Sequence, residues 1–294
     1  MIETTPEGFK ILIGVDGSRQ FMIDSKRLEE CESYIRERHL TFIGINSFLG
    51  YEARDLGFLE GLSDFIEGLT IPENHFDTTV INELHHLKYL GFADNRTSYV
   101  DLSNFPNLST LACEMSPRLL GLESCEQLKQ LTLSSFRPKI RNLSELPKLG
   151  SLKEINVFDT NIVSLDGIQK FSNLASVSIF KANQLENIDE LGDLSNTISK
   201  VEIDKCKKIS SYVILGHLQH LKRLIVLNSA DIPSLDFVRH LPVLKFLSFV
   251  GTKIQDGDLS PCVGIDYVGF DDKNHYNMRF ADFQKVHPST PQGN

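Results

Sequence analysis

The sequence contains no apolar stretch of the ~18 residues that a membrane-spanning helix needs. Its first ten residues, MIETTPEGFK, have neither the basic start nor the apolar core of a secretory signal. Cysteines are few and odd in number, five in all, and no two of them have CxxC spacing. These absences predict a cytoplasmic chain with reduced thiols and without a membrane anchor, a disulfide framework or a zinc site.

Catalytic signatures are absent as well. The sequence has no GxxxxGK[ST], HExxH or GxSxG motif and no GxGxxG after a strand. His217 and His220, in HLQH, are a candidate metal pair, but we favour solvated surface histidines, as for His240 one repeat later. Residues 271–274 lack the Gly and Glu of a calcium loop, and residues 16–18 indicate a turn. We therefore predict no catalytic residue, no metal ion and no cofactor.

Basic residues are fewer than acidic residues. The chain has 30 Lys and Arg against 39 Asp and Glu, a formal net charge of −9. An acidic surface repels a phosphate backbone, so the balance argues against nucleic acid as a partner. It suits a basic protein partner better.

What the sequence does contain is an internal repeat of about 22 residues. Each unit has apolar residues at its positions 1, 4 and 6. Eleven units begin at Leu40, Ile66, Leu87, Leu108, Leu128, Leu152, Leu174, Ile198, Leu221, Leu244 and Ile265. All three positions are apolar in every unit, counting Cys113, although only 41% of the chain is hydrophobic.

The spacing inside a unit predicts its local structure. Positions 4 and 6 are two residues apart, so a strand places both side chains on one face. Upstream of each strand the apolar spacing is three, as in Leu102–Phe105–Leu108 and Ile168–Phe171–Leu174, which favours a 3₁₀ turn. Stacked units then share one core, and their strands pair in parallel.

The best-preserved units read LKYLGFADNRT (87–97), LKEINVFDTNI (152–162), LKRLIVLNSADI (221–232) and LKFLSFVGTKI (244–254). Over about residues 40–270 the chain resembles leucine-rich repeat proteins of the internalin-like class. The resemblance implies an α/β fold: a leucine-rich repeat solenoid, or horseshoe, with a concave parallel β-sheet and short 3₁₀ or helical convex segments. The Asn that the family carries three residues after position 6 occurs only at Asn74 and Asn95. Thr, Ser and Cys can partly replace it elsewhere, whereas Phe136 cannot.

The two ends differ from the repeats. The alternation from Phe9 to Ile23 across Asp16–Gly17 predicts a hairpin, and Asp24 or Ser25 caps a following helix. We assign residues 1–39 to a hairpin–helix N-terminal cap, 40–270 to about eleven repeats, and 271–294 to a C-terminal cap with a disordered tail, PSTPQGN.

The concave face is the predicted binding surface, because side chains at repeat positions 3, 5, 7 and 8 point away from the core. In the first half these positions are small and polar; from the sixth unit onward large apolar groups appear beside charges, as at the centre and rim of a protein interface. Neighbour packing or a register slip is the alternative explanation. The predicted partner-binding residues are Glu154, Phe158, Asp159, Phe180, Lys181, Lys200, Glu202, Asp204, Arg223, Ile225, Leu227, Phe246, Val250 and Tyr267.

Three functional interpretations follow. The first is a non-enzymatic protein-binding module, monomeric when unbound. Stand-alone arrays of this kind resemble bacterial repeat proteins encoded beside toxins, some of which act as immunity proteins, and this implies a basic toxin domain as partner. The second is an intracellular adaptor or regulator of an enzyme. The third, which we favour least, is an enzyme with an unrecognised site.

Overall fold

The computed structural model describes residues 1–14, 17–94 and 96–286, with side chains to residue 283. Val15 and Asp16 beside the expected turn, the consensus Asn95 and the residues from 287 onward, which include the tail PSTPQGN, lie outside this range. The chain forms two compact units, residues 1–133 and the part from residue 134 onward.

Strand follows strand at the repeat period in the first unit. Its strands within the described residues are β1 (Ile2–Thr4), β2 (Lys10–Ile13), β3 (Arg19–Met22), β4 (Phe42–Gly44), β5 (Gly68–Ile71), β6 (Tyr89–Phe92), β7 (Val100–Asp101), β8 (Thr110–Glu114), β9 (Leu119–Leu120) and β10 (Gln130–Ser134). Strands β1 to β3 are antiparallel, and from β3 to β8 the main sheet is parallel. Strands β7 and β9 form a separate parallel pair.

The N-terminal residues form the expected hairpin and helix. Helix α1 (Leu28–Glu37) follows a 3₁₀ turn that Asp24 caps by accepting a hydrogen bond from the Lys26 amide. Tyr34 of α1 stacks on Phe21 of β3, with ring centroids 5.5 Å apart. The apolar face of the helix therefore packs on the hairpin. Strand β1 was not predicted, because three exposed residues carry no alternating apolar pattern.

The second unit repeats the pattern without a hairpin. Its described elements are β11 (Glu154–Thr160), β12 (Ser176–Ala182), β13 (Lys200–Asp204), β14 (Arg223–Leu227), β15 (Phe246–Ser248), β16 (Tyr267–Gly269) and helix α2 (Phe280–Val286). Each strand from β11 to β16 pairs in parallel with the next one along the chain.

The predicted core positions lie inside. Of the residues at repeat positions 1, 4 and 6, all are buried except Leu40, which is half-buried. The residues spaced by three upstream of the strands are buried as well, including Phe105 and Phe171. The leucine-rich repeat fold is thereby confirmed from the chain's own geometry: one strand per repeat, in parallel, over a shared apolar interior.

Short 3₁₀ segments connect the strands, as the spacing predicts. Within the described residues they span Ser25–Arg27, Ser47–Leu49, Gly57–Leu62, Thr79–Glu83, Leu102–Asn104, Leu122–Ser124, Ile168–Lys170, Asp189–Leu194, Val213–His217, Asp236–His240 and Ser260–Cys262. Their brevity suits a repeat of this length, since a longer helix would not fit between two strands.

Aromatic side chains near the C-terminus pack on the last repeat. Tyr276, Phe280 and Phe283 meet the ring of Phe270 edge-on, at centroid distances of 5.9, 5.8 and 5.7 Å. They shield a core side chain that has no further repeat beside it. The domain boundaries at residues 39 and 270 remain a prediction.

A chain of hydroxyl groups replaces the missing family Asn in the second unit. The buried Ser229 Oγ accepts a hydrogen bond from the Cys206 amide at 3.1 Å and donates to the Leu227 carbonyl at 2.7 Å. The Ser229 amide in turn donates to Thr252 Oγ1 at 3.0 Å. At the other end of the series, Thr160 Oγ1 donates to the carbonyl of Phe136 at 2.8 Å. The prediction that Ser and Thr substitute for Asn is confirmed at these positions, and Phe136 contributes only its backbone.

Repeat position 8 ends several strands in the left-handed backbone conformation. The φ values there are positive for Ser135, Asp159, Lys181, Lys205, Asn228 and Gly251. A side chain with a β-carbon opposes this conformation, and only Gly and Asn adopt it readily. At Ser135, Asp159, Lys181 and Lys205 the conformation is not predictable from the residue type, because Ser, Asp and Lys are ordinary surface residues.

We expect Lys205→Gly to raise the free energy of unfolding by about 0.5–1 kcal/mol, because glycine removes the strain at φ 56°. Urea denaturation followed by circular dichroism measures the change. Lys208→Gly is the matched control: Lys208 is exposed and lacks a positive φ, so glycine there lowers stability by up to about 1 kcal/mol. Equal effects at both positions would contradict the assignment of strain.

All five cysteines are free and buried. Burial raises the pKa of Cys206 and Cys125 to about 11 and that of Cys113 and Cys262 to about 12. Because only the thiolate is nucleophilic, these groups are both protonated and shielded at neutral pH.

We expect iodoacetamide to leave the folded protein unmodified at pH 8 and to alkylate all five thiols in urea. Mass spectrometry counts the added groups. Rapid labelling of the folded chain would contradict the burial, and the labelled peptide would identify the open site.

Candidate functional site

The parallel register arranges the predicted binding residues in rows across the second unit. Side chains at equivalent repeat positions lie on neighbouring strands, on the face of the sheet opposite the core; we call this surface the open face. The row at position 3 reads Glu154, Ser176, Lys200, Arg223, Phe246 and Tyr267. The row at position 7 reads Phe158, Phe180, Asp204 and Leu227. The sequence repeat alone thus brings these residues together.

One aromatic pair begins the position 7 row. Phe158 and Phe180 stack with centroids 4.5 Å apart and planes 3° from parallel. Phe158 is 37% exposed, and an apolar ring on a strand face loses contact with water only when another surface covers it. Asp159 and Lys181 follow the two rings directly and are exposed, so the pair has a charged border.

A second aromatic pair ends the position 3 row. Phe246 and Tyr267 stack at 4.4 Å, and the Arg223 guanidinium lies 3.6 Å from the centroid of the Phe246 ring. Stacked Arg, Phe and Tyr side chains form a flat platform that is positive at one end. Arg and Tyr are enriched among the residues that dominate binding energies at protein interfaces, and Phe is enriched at interfaces in general.

The two pairs lie at opposite corners of the open face. Phe180 on β12 and Phe246 on β15 are three strands apart, about 14 Å at the usual spacing. A standard protein interface of ~800 Å² per partner covers both corners at once.

Several charged side chains of the open face are paired within the chain. Lys200 contacts Glu202 at 3.2 Å, and Asp204 accepts a hydrogen bond from Asn228 at 3.1 Å. Glu154 accepts one from Asn156 at 3.0 Å. These side chains are therefore held in position before any partner arrives, which reduces the entropy lost on binding.

Three of the predicted apolar residues differ in how far their side chains are exposed. Val250 is 41% exposed and Leu227 is half-buried. Ile225 is only 7% exposed, because it lies in the middle row between Glu202 and Ser248 on the adjacent strands. Ile225 supports its neighbours and presents little surface of its own.

Sequence reasoning missed two residues that shape this surface. Arg137 forms an ion pair with Asp159 at 3.0 Å and also donates to the Asp159 carbonyl. Asn228 orients Asp204. Nothing in the repeat pattern points to Arg137, whereas Asn at the left-handed position 8 is a recognisable signal for Asn228.

The candidate metal histidines lie elsewhere. His217 and His240 are exposed at the ends of successive 3₁₀ segments, and His220 is exposed in the turn before β14. Among the described residues, no group of three or more His, Cys, Asp and Glu is arranged to hold a metal ion. In the same part of the chain, no helix has both the length and the apolar character to cross a bilayer.

Several solved structures resemble the chain. Internalin InlF of Listeria monocytogenes is 18% identical, with 80% of this chain and 81% of that one covered and a TM-score of 0.47. InlJ of the same species is 16% identical over 79% and 63% of the two chains, with a TM-score of 0.39. A leucine-rich repeat protein of Leptospira interrogans is 13% identical over 72% of each, with a TM-score of 0.32. No family model and no curated protein sequence matches.

The assignment of the fold rests on the repeat geometry itself.

Proposed function

We propose that the chain is a protein-binding module without catalytic activity, whose partner docks on the open face of the second unit. The observation that carries this proposal is two stacked aromatic pairs on a strand face, each with one exposed ring, Phe158 or Tyr267, and each beside charged side chains. Large apolar rings surrounded by a polar rim are the composition of an interface centre. The residues assigned to it are the fourteen predicted from the sequence, with Ile225 as a supporting residue.

We further propose an immunity protein as the specific role, with a basic toxin domain as the partner. The net charge of −9 supports this, since opposite charge steers association and raises the on-rate. The alternative is an adaptor or regulator of an intracellular enzyme, which uses the same surface. The two roles differ in what is bound: a protein whose expression alone arrests growth, or an enzyme whose activity changes on binding.

The proposed location is the cytoplasm, and the proposed unbound state is a monomer. Five free thiols support the first, because an oxidising compartment favours their pairing. Cell fractionation measures the location, and analytical sedimentation measures the oligomeric state. Recovery from the culture medium, or a concentration-independent dimer, would contradict them.

Affinity capture from cells of the source organism, followed by quantitative mass spectrometry, tests whether the chain binds a specific protein. We expect one protein to be retained in near-stoichiometric amount. Turnover of substrates by the pure chain on a broad hydrolase panel, lost on replacing His217 and His220, would instead favour the enzyme interpretation.

A further inference from the structure

A cavity lies in the first unit, along the hairpin strands and the parallel strands that continue the same sheet. Its volume is about 570 Å³, within the usual range of ligand sites. The described residues that line it are Leu12, Gly14, Ser18, Gln20, Met22, Phe42, Asn46, Thr70, Pro72, Tyr89, Thr110 and Gln130. It runs from β2 to β10, across the strands.

Two glycines shape the cavity floor. A β-carbon at Gly44 would lie 2.7 Å from the sulfur of Met22, and one at Gly68 would lie 2.6 Å from the ring of Phe42. Both distances are too short for real contacts. The absence of side chains at these positions lets Met22 and Phe42 lie flat against the sheet, and Phe42 meets Tyr89 at 4.8 Å.

The walls carry no formal charge: among the described lining residues none is Asp, Glu, Lys, Arg or His. In a chain with 23% charged residues this is a distinctive feature of the surface. A charged ligand would find no partner of opposite sign here and would lose hydration without compensation.

Gln20 supplies a directed polar group. Its side chain is 6% exposed, and its amide nitrogen donates to the Ile43 carbonyl at 3.2 Å and to Thr70 Oγ1. The carbonyl of Ile43 can only accept, so this contact fixes which end of the amide is nitrogen. Among the described residues none donates to Gln20 Oε1. Because Gln20 lines the cavity, this oxygen is available to a ligand that carries an N–H or O–H group.

We propose that this cavity binds an extended, uncharged peptide segment. The backbone N–H of the peptide meets Gln20 Oε1, and its apolar side chains rest against Met22, Phe42 and Tyr89. Gln20 Oε1 supplies an acceptor toward one end, and the Gln130 amide nitrogen supplies a donor toward the other, because Gln130 Oε1 accepts from Thr110 Oγ1 at 3.4 Å. A peptide main chain carries groups that complement both. The elongated course across the strands suits a peptide better than a compact ring.

Selection of displayed heptapeptides on the full-length chain tests the proposal, followed by affinity measurement with the best peptide in N-acetylated and C-amidated form. We expect selected sequences without Asp, Glu, Lys or Arg. Thr110→Arg, which places a charge and a long side chain in the cavity, weakens binding at least tenfold. Thr132→Arg, on β10 but outside the cavity lining, leaves binding unchanged.

Three results would overturn the assignment. They are selection of charged sequences, equal affinity of the wild type and Thr110→Arg, and binding of glucose that Thr110→Arg abolishes while no peptide is selected. None of them bears on the open face of the second unit.

Discussion

Replacing Phe158, Phe180 and Phe246 by Ser is expected to reduce capture of the partner by at least about 100-fold. Aromatic anchors at the centre of an interface contribute about 2 kcal/mol or more each when they are truncated, and 1.4 kcal/mol corresponds to a factor of ten. The triple variant removes both rings of the Phe158–Phe180 pair and one ring of the Phe246–Tyr267 pair. The measurement is the amount of the wild-type partner retained by immobilised variant, followed by titration once the partner is purified.

A matched control separates loss of the surface from general loss of apolar groups. Ile140, Val213 and Val263 are at least as exposed as the three Phe residues and lie outside the strands of the same unit. We expect Ile140→Ser, Val213→Ser and Val263→Ser together to retain the partner. Circular dichroism must give the same spectrum for both variants. Full capture by the Phe variant would show that the partner docks elsewhere.

Ser229→Ala is expected to lower the free energy of unfolding by about 1–3 kcal/mol. The change removes the acceptor of the buried Cys206 amide and the hydroxyl that donates to the Leu227 carbonyl. An orphaned buried donor loses its hydration without replacement, which accounts for the magnitude. Urea denaturation measures stability, and hydrogen exchange at the Cys206 amide measures the local effect.

Two further variants define the cause. Ser229→Thr retains the hydroxyl, and Thr occupies the equivalent position in the next repeat at Thr252, so we expect stability within about 1 kcal/mol of wild type. Ser172→Ala changes an exposed serine and is expected to alter stability by less than about 0.5 kcal/mol. Wild-type stability and exchange in Ser229→Ala would mean that the Cys206 amide has another partner.

The fold was predictable from the sequence because it depends on burial that recurs at fixed intervals. Leu111, Leu131 and Val201 occupy equivalent repeat positions, and the same apolar requirement acts on each. Features outside that requirement were not predictable. Strand β1 is stabilised by backbone hydrogen bonds to β2, and almost any residue type can form such bonds. The left-handed conformation of Lys205 is set by the surrounding structure, not by the residue type.

The candidate site was predictable in part for the same reason. Phe158 and Phe180 are 22 residues apart, so a one-repeat offset places one ring beside the other. The placement of Arg223 over Phe246 depends on side-chain rotamers, which the pattern does not report. The cavity of the first unit depends on how the hairpin strands join the sheet beside β4, and no repeat position encodes that.

The row arrangement of the open face has a consequence for how such a protein can change over generations. Each repeat contributes one side chain to every row, so an in-frame duplication of a repeat lengthens all rows by one position and leaves the rest in register. A binding surface of this kind can gain or lose whole repeats, and point substitutions within one repeat then change its specificity.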